Sequence, residues 1–308
     1  MTLALFIDSL TGISGYQEAV WLGVTDGATQ AGVRIITFAG GALDFSPLNP
    51  FEKSRNIAYE LFSPTTASGL LLCGGTLGND CSRETFSAFC SRYSVVPTVS
   101  VGPAVPGIPR VLVDNDRGMK EMVNHLIRDH GYTRIGFISG PKGNIDADRR
   151  RKMYQEALTE NSLIYEEAIV YEGDFNDHSG YEAVLHWISR GGAMPQAIVA
   201  SNDNMAFGAI NALREKGLSV PHQIAVTGFD DVSSAATATP PLSTVSQPIY
   251  LQGKKAVELL IQRIKGGTIP EETLEKPNQI YRQSCGCLSA TITAFQTEES
   301  ITLSQFSQ

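Results

Sequence analysis

No stretch of this 308-residue chain approaches the run of about 20 apolar residues that a membrane-spanning helix needs. The opening "MTLALFIDSL" has no charged start, no long apolar run and no small-residue cleavage site, so it does not read as a signal peptide. Cysteine is scarce. There are five, at positions 73, 81, 90, 285 and 287, an odd number that argues against a secreted disulfide framework and for a reducing cytoplasm. The "CGC" run at 285–287 would need further ligands to hold a metal, and no His or second Cys pair accompanies it in the sequence. Packing at a chain end is the expectation, with no metal and no cofactor. Positive charge is also in deficit: 24 Lys and Arg against 32 Asp and Glu leave a net −8, unsuited to holding nucleic-acid phosphates. The one dense basic run, "RRRK" at 149–152, reads as a solvated helix face. No Gly-rich dinucleotide fingerprint, phosphate loop, GxSxG or HExxH occurs, and the five His are scattered. No catalytic residue is expected, and the chain is not read as an enzyme.

What is present is rhythm. Apolar content of 42% and charged content of 18% are those of a soluble globular protein, and the length suits two domains. The strand pattern "LALFID" is followed by a helix pattern over 16–31 and the strand "VRIITFA". The helix pattern "EKSRNIAYELF", strand "SGLLLC", helix "RETFSAFCSRY" and strand "VPTVSV" follow. After the proline-rich "GPAVPGIPRVLVDND" a second series begins, and a last helix pattern covers 249–265 before the β-like "NQIYRQSCGC". Strands alternating with helices predict parallel sheets covered on both faces. The tail over 289–308 is polar, with no core-forming pattern, and reads as a linker or frayed end.

Two strand patterns, "AIVA" and "IAVTGF", run into clusters of acids and amides: Asn202, Asp203 and Asn204, then Asp230 and Asp231. Parallel strands joined by a helix place both carboxyl ends on one sheet edge, where open α/β sheets bind ligands. Asn202 or Asp203 is also well placed to cap the helix starting near Met205, so capping stands beside ligand binding.

The stretches "VDNDRGMKEMVNHLIRDHGYTRIGFISG", "DADRRRKMYQEAL" and "EGDFNDHSGYEAVLHW", together with these strand ends, resemble the effector-binding part of the lac-type and purine-type bacterial repressors. The resemblance implies an α/β protein of two doubly wound parallel-sheet lobes joined by three crossovers, the type I periplasmic-binding-protein-like fold. It places one lobe at 1–113 plus 246–276 and the other at 114–245 plus 277–288, with crossovers near 113–114, 239–246 and 277–282. It implies that a small polar effector, a sugar or related metabolite, lies between the lobes and is coupled to their closure.

The resemblance also assigns residues. Arg150 precedes Met153-Tyr154, where relatives carry a Gly-aromatic pair, and matches the ligand-gripping Arg; Arg149 takes that role if the register slips by one. Phe175 matches the aromatic that stacks on a flat ligand face, with a core Phe as the other reading. Asn202 and Asp230 match a hydrogen-bonding pair. Asp8, Tyr16, Gln17 and Thr76 are the first lobe's candidates, although "SLTGISGYQ" departs from the usual pattern and leaves the ligand class open. Neither Arg150 nor Asp230 lies in an apolar pattern, so replacing either is expected to spare the fold.

Relatives carry a helix-turn-helix domain before the first strand, whereas here that strand begins near residue 3. DNA is therefore expected as a partner only through an output domain absent from this chain, and the other expected partner is a second copy in a homodimer. The alternatives are a free-standing solute-binding protein of a transport system and, with less support, a metal-dependent enzyme using Asp203, Asp230 and Asp231.

Overall fold

In the computed structural model, residues 1–10, 15–43, 50–78 and 81–287 are described. The expected tail at 289–308 lies outside them. The first strands are β1 (Thr2–Ile7), β2 (Arg34–Ala39), β3 (Leu70–Cys73), β4 (Thr98–Val101), β5 (Arg110–Val113) and β6 (Ile135–Ser139). They are followed by β7 (Val170–Glu172), β8 (Ala197–Ala200), β9 (Ala225–Thr227), β10 (Thr244–Ser246), β11 (Glu272–Glu275) and β12 (Asn278–Ile280).

The chain divides into two compact units, Met1–Asp114 with Pro248–Lys276, and Asn115–Gln247 with Pro277 onward, so it passes between them three times. The first holds a parallel sheet in the order β11-β5-β4-β3-β1-β2. The second holds a parallel sheet, β7-β6-β8-β9, and an antiparallel pair, β10-β12. Two boundaries differ slightly from expectation. Asp114 stays with the first unit because its N–H donates to the Glu275 carbonyl at 2.9 Å. Residues 246–247 stay with the second because Ser246 pairs with Asn278.

Strand alternation builds both cores. Leu3, Leu5 and Ile7 of β1 face a cluster with Val20 and Val24 of the helix Tyr16–Gln30 and Val257 and Leu260 of the helix Ile249–Ile264. Ala4 and Phe6 face the opposite cluster, where Tyr59, Phe62, Phe89 and Tyr93 surround the Phe6 ring at 4.9–6.0 Å. In the second unit Phe137 and Val199 pack toward the helices Asn115–Arg128 and Ile145–Glu160. Ile138, Ile198 and Ala200 pack toward Asp177–Ser189 and Asp203–Glu215. Those last two helices meet at glycine: a Cβ on Gly208 would stand 1.8 Å from the Asp177 carbonyl oxygen. Gly208→Ala is thus expected to force the pair apart and destabilise the protein by about 1–3 kcal/mol, read by denaturant unfolding.

Three local expectations are corrected. The helix pattern at 52–62 is two short helices, Pro50–Arg55 and Ile57–Glu60. Between them Asn56 spends its amide on the Gly40 carbonyl at 2.7 Å, the local competition by which Asn interrupts helices. Strand β11 was not anticipated because "ETLE" carries charge at both ends; it is a sheet edge, and Glu272 pairs with Arg110 at 2.8 Å. The final β-like run is a strand only over β12 and then a 3₁₀ turn, Gln283–Cys285. That turn carries a larger correction: Cys285 and Cys287 do have histidine company, from His125 and His130.

Candidate functional site

In the second unit the carboxyl ends of β6, β7, β8 and β9 lead directly into Gly140, Phe175, Asn202 and Asp230. The sheet is parallel, so all four lie on one edge. Arg150 reaches them from the helix Ile145–Glu160 and is only 4% exposed. Its Nε donates to Asn115 Oδ1 at 2.9 Å and its Nη1 to the Ser201 carbonyl at 2.5 Å. Nη1 also stands 3.8 Å from Asp230 Oδ1, and the guanidinium lies 3.7 Å from the centre of the Phe229 ring, a buried cation–π contact. Among the described residues Nη2 has no hydrogen-bond partner.

The "RRRK" run is not one basic face. Successive helical residues point about 100° apart, and each of these four finds a different environment. Arg149 makes a two-pronged pair with Asp116 (3.0 and 3.0 Å), Arg151 pairs with Glu167 at 2.9 Å and Lys152 stands 3.6 Å from Glu156. Arg150 alone of the four is buried, so Arg150 and not Arg149 stands beside Asp230.

Phe175 adopts φ 69°, a conformation uncommon for an aromatic residue. Asn202 holds it there, its Nδ2 donating to the Phe175 carbonyl at 2.8 Å. The same side chain caps the helix Asp203–Glu215 by accepting from Met205 N at 3.0 Å. Both sequence readings of Asn202 therefore meet in one residue, a cap that also sets the aromatic. The Phe175 ring lies over Gly140, where a Cβ would be 2.3 Å from its tip, and also packs against core residues. Asp230 (φ 120°) and Asp231 (φ 56°) are strained too. The described non-glycine residues with positive φ are Ser162 and these three, and such strain gathers where function over-determines the backbone. Asp230 is tied down by its N–H donating to the Val245 carbonyl at 2.8 Å and by Gln247 Nε2 donating to its carboxylate.

The carboxylates have different fates. Asp203 is fully buried, accepting from Thr244 Oγ1 at 2.5 Å and from Val232 N at 2.9 Å. Burial, then the neighbouring Asp230, pushes its carboxyl up to about 8. Asp230 is half-buried; desolvation raises it to about 6, against the pull of Arg150 and Gln247. Asp231 is paired with Arg282 at 2.8 Å. Asp203 and Asp231 are thus tied to protein partners, while the Asp230 carboxylate keeps an exposed part.

In the first unit Asp8 follows β1, and its carboxylate accepts from Gln17 Nε2 at 3.1 Å and from Thr76 Oγ1. Gln17 Oε1 is buried with no hydrogen-bond partner among the described residues. The Tyr16 hydroxyl lies against Gly75, where a Cβ would be 2.5 Å away. The four sequence candidates of this unit do converge. Residues 11–14 of "SLTGISGYQ" lie outside the described residues.

Sequence reasoning missed Asn115, Phe229 and Gln247. Asn115 is 4% exposed, accepts from Arg150 and donates through Nδ2 to Asp146 Oδ1 at 2.9 Å. Its place in "VDND" beside the quoted motif was the available signal. Phe229 read as a strand residue, and nothing in the sequence marked Gln247.

The model of the periplasmic binding protein-like domain matches residues 123–285, more than half of the chain. The ribose operon repressor of Escherichia coli (strain K12) is 35% identical over 207 residues, 67% of this chain and 61% of the repressor. The transcriptional repressor PurR of Mannheimia succiniciproducens is 30% identical over 226 residues, 73% of this chain and 66% of that protein. The chain thus spans under two thirds of the length of these relatives. Among solved structures, a complex of the transcriptional regulator CelR with cellobiose superposes with a TM-score of 0.74 at 28% identity, covering 92% of this chain and 84% of that one.

Proposed function

Because the chain belongs to the family of periplasmic binding protein-like domains, we propose that it senses a small polar effector for a lac-repressor-type transcription regulator or a multidomain signalling protein. The observation that carries this reading is the strained edge of the second unit: a buried guanidinium beside a half-buried carboxylate, with an aromatic ring held at positive φ on the same edge. The three groups offer donors, acceptors and an apolar face, the chemistry of a sugar ring or a purine. Arg150 and Asp230 grip the ligand, Phe175 stacks on it, and Asn202 sets Phe175 and offers its remaining amide hydrogen. In the first unit Asp8, Tyr16, Gln17 and Thr76 form a polar group of their own after β1 and β3, where the Gln17 oxygen, without a hydrogen-bond partner among the described residues, is free to accept from a hydroxyl. One relative is named for the ribose operon, and the complexed structure contains cellobiose.

The chain works in the cytoplasm as a homodimer, and DNA is met through a separate output domain. No described helix is long and apolar enough to cross a membrane. It performs no chemistry on its effector.

Calorimetry against pentoses, hexoses, cellobiose and purine bases tests the reading. One class is expected to bind, and Asp230→Asn, which keeps the side chain's shape, is expected to weaken it by about tenfold or more, since ~1.4 kcal/mol is one decade. Unchanged affinity in that variant would falsify the assignment of Asp230.

A further inference from the structure

We infer that His125, His130, Cys285 and Cys287 form a closed four-ligand zinc site. One ligand atom from each lies within 4.8 Å of every other. Four of the six separations match a tetrahedron's edges. His125 Nε2 and His130 Nε2 are 3.1 Å apart, Cys287 Sγ is 3.5 Å from each, and Cys285 Sγ is 3.7 Å from His125 Nε2. A tetrahedral zinc with Zn–S of about 2.3 Å and Zn–N of about 2.0–2.1 Å has N–N edges of about 3.3 Å and N–S edges of about 3.6 Å.

His125 Nδ1 stands 2.6 Å from Asp129 Oδ2, a carboxylate oxygen that accepts, so Nδ1 carries a proton and Nε2 is the nitrogen turned to the cluster. Three groups stand within 3.7 Å of that one nitrogen. A single cation accepting from all four ligands resolves the crowding, and thiolate with imidazole is a donor set that suits zinc.

The surroundings are those of a built site. Asp129 fixes the His125 tautomer, the carboxylate–histidine arrangement that orients metal-bound imidazoles. Tyr281 stacks on His125 at 3.8 Å, and the Tyr132 ring is nearly parallel to that of His130 at 5.6 Å. Gly286 has φ 106°, the left-handed turn that lets two thiols separated by one residue face the same way. His125 and Cys285 are buried while His130 and Cys287 are half-buried, which leaves a path for the ion. Four protein ligands leave no open position, so the site is structural rather than catalytic. It clamps the segment after β12 to the end of the helix Asn115–Arg128, just ahead of β6. That is the amino end of the sheet, remote from Arg150, so the inference does not rest on the proposed effector site.

The test uses the full chain expressed with zinc and purified without chelator. Elemental analysis is expected to find one zinc per chain, and cobalt substitution to give visible d–d absorption with a thiolate charge-transfer band. Cys287→Ser and His130→Ala, at the two half-buried positions, are expected to lose the metal while keeping the wild-type circular dichroism. Chelator is expected to lower the melting temperature of the wild type and leave that of Cys287→Ser unchanged. Substoichiometric zinc with no cobalt spectrum overturns the site. So does undiminished zinc in both variants, or a disulfide between Cys285 and Cys287 in the metal-free protein as isolated.

Discussion

Arg150→Ala is expected to abolish measurable effector binding and to destabilise the protein by about 2–4 kcal/mol. The first effect follows from the proposed grip. The second corrects the expectation, drawn from its polar setting in the sequence, that replacement would spare the fold. Arg150 is 4% exposed, and its removal strands the Asn115 side-chain oxygen, the Ser201 carbonyl and the Asp230 carboxylate together, and bares the Phe229 ring. Arg150→Lys keeps the charge but not the planar fork, so it is expected to recover part of the stability and little of the binding. Urea unfolding reads the first quantity and calorimetry the second. Wild-type stability in Arg150→Ala would show that this network contributes nothing to the fold.

Asp203→Asn is expected to gain stability relative to the wild type as pH rises, by a few kcal/mol in all between pH 5 and pH 9, at about 1.4 kcal/mol per pH unit where the slope is full. The folded-state carboxyl is raised from 3.8 to about 8, first by burial and then by Asp230. A raised acid contributes its full stability below the unfolded value, and that contribution drains away as pH climbs from there through the folded value. Above it the wild-type Asp203 must carry a buried charge that the amide of the variant never acquires. The amide can keep both contacts, accepting from Val232 N through oxygen and donating to the Thr244 hydroxyl through nitrogen. Asp230, raised to about 6, drifts in the same direction. Glu166, lowered by its hydrogen bond to Arg134, opposes it at acid pH, and both persist in the variant. The difference between the two proteins therefore reports position 203 together with its coupling to Asp230. A flat difference across this range would mean that Asp203 is ionised throughout.

Effector affinity has a pH dependence of its own. If Asp230 accepts hydrogen bonds as a carboxylate, affinity rises as pH passes upward through about 6. Asp230→Asn should remove that rise.

The legible parts of the site were those whose chemistry is carried by a local string. Asn202 and Asp230 stand directly after strand patterns, and their edge follows from parallel topology. Phe175 and Arg150 were reached through motif resemblance, because no local rule distinguishes Arg150 from Arg149 or Arg151. The helix Ile145–Glu160 decides among them by its rotation, turning Arg149 to Asp116, Arg151 to Glu167 and Arg150 into the strand ends.

Alternating strands and helices, with apolar periods of two and of about 3.6, were enough by themselves to specify two α/β units with covered parallel sheets. They also specified which residues end at the carboxyl edge, since that depends only on where each strand stops. Three things waited on tertiary structure. The edge strand β11 is polar, and its pairing with β5 joins Glu272 to Arg110, a contact between distant parts of the chain that no local pattern encodes. The separate fates of Asp203, Asp230 and Asp231 depend on the partners that reach them, Thr244, Gln247 and Arg282, which arrive from later in the chain. The four zinc-site ligands stand in two pairs, His125 with His130 and Cys285 with Cys287, far apart in the chain, so neither motif spacing nor composition could join them. Local sequence sets backbone period and strand ends because those are near-neighbour properties; charge state and ligand sets are decided by what folding brings within a few ångströms.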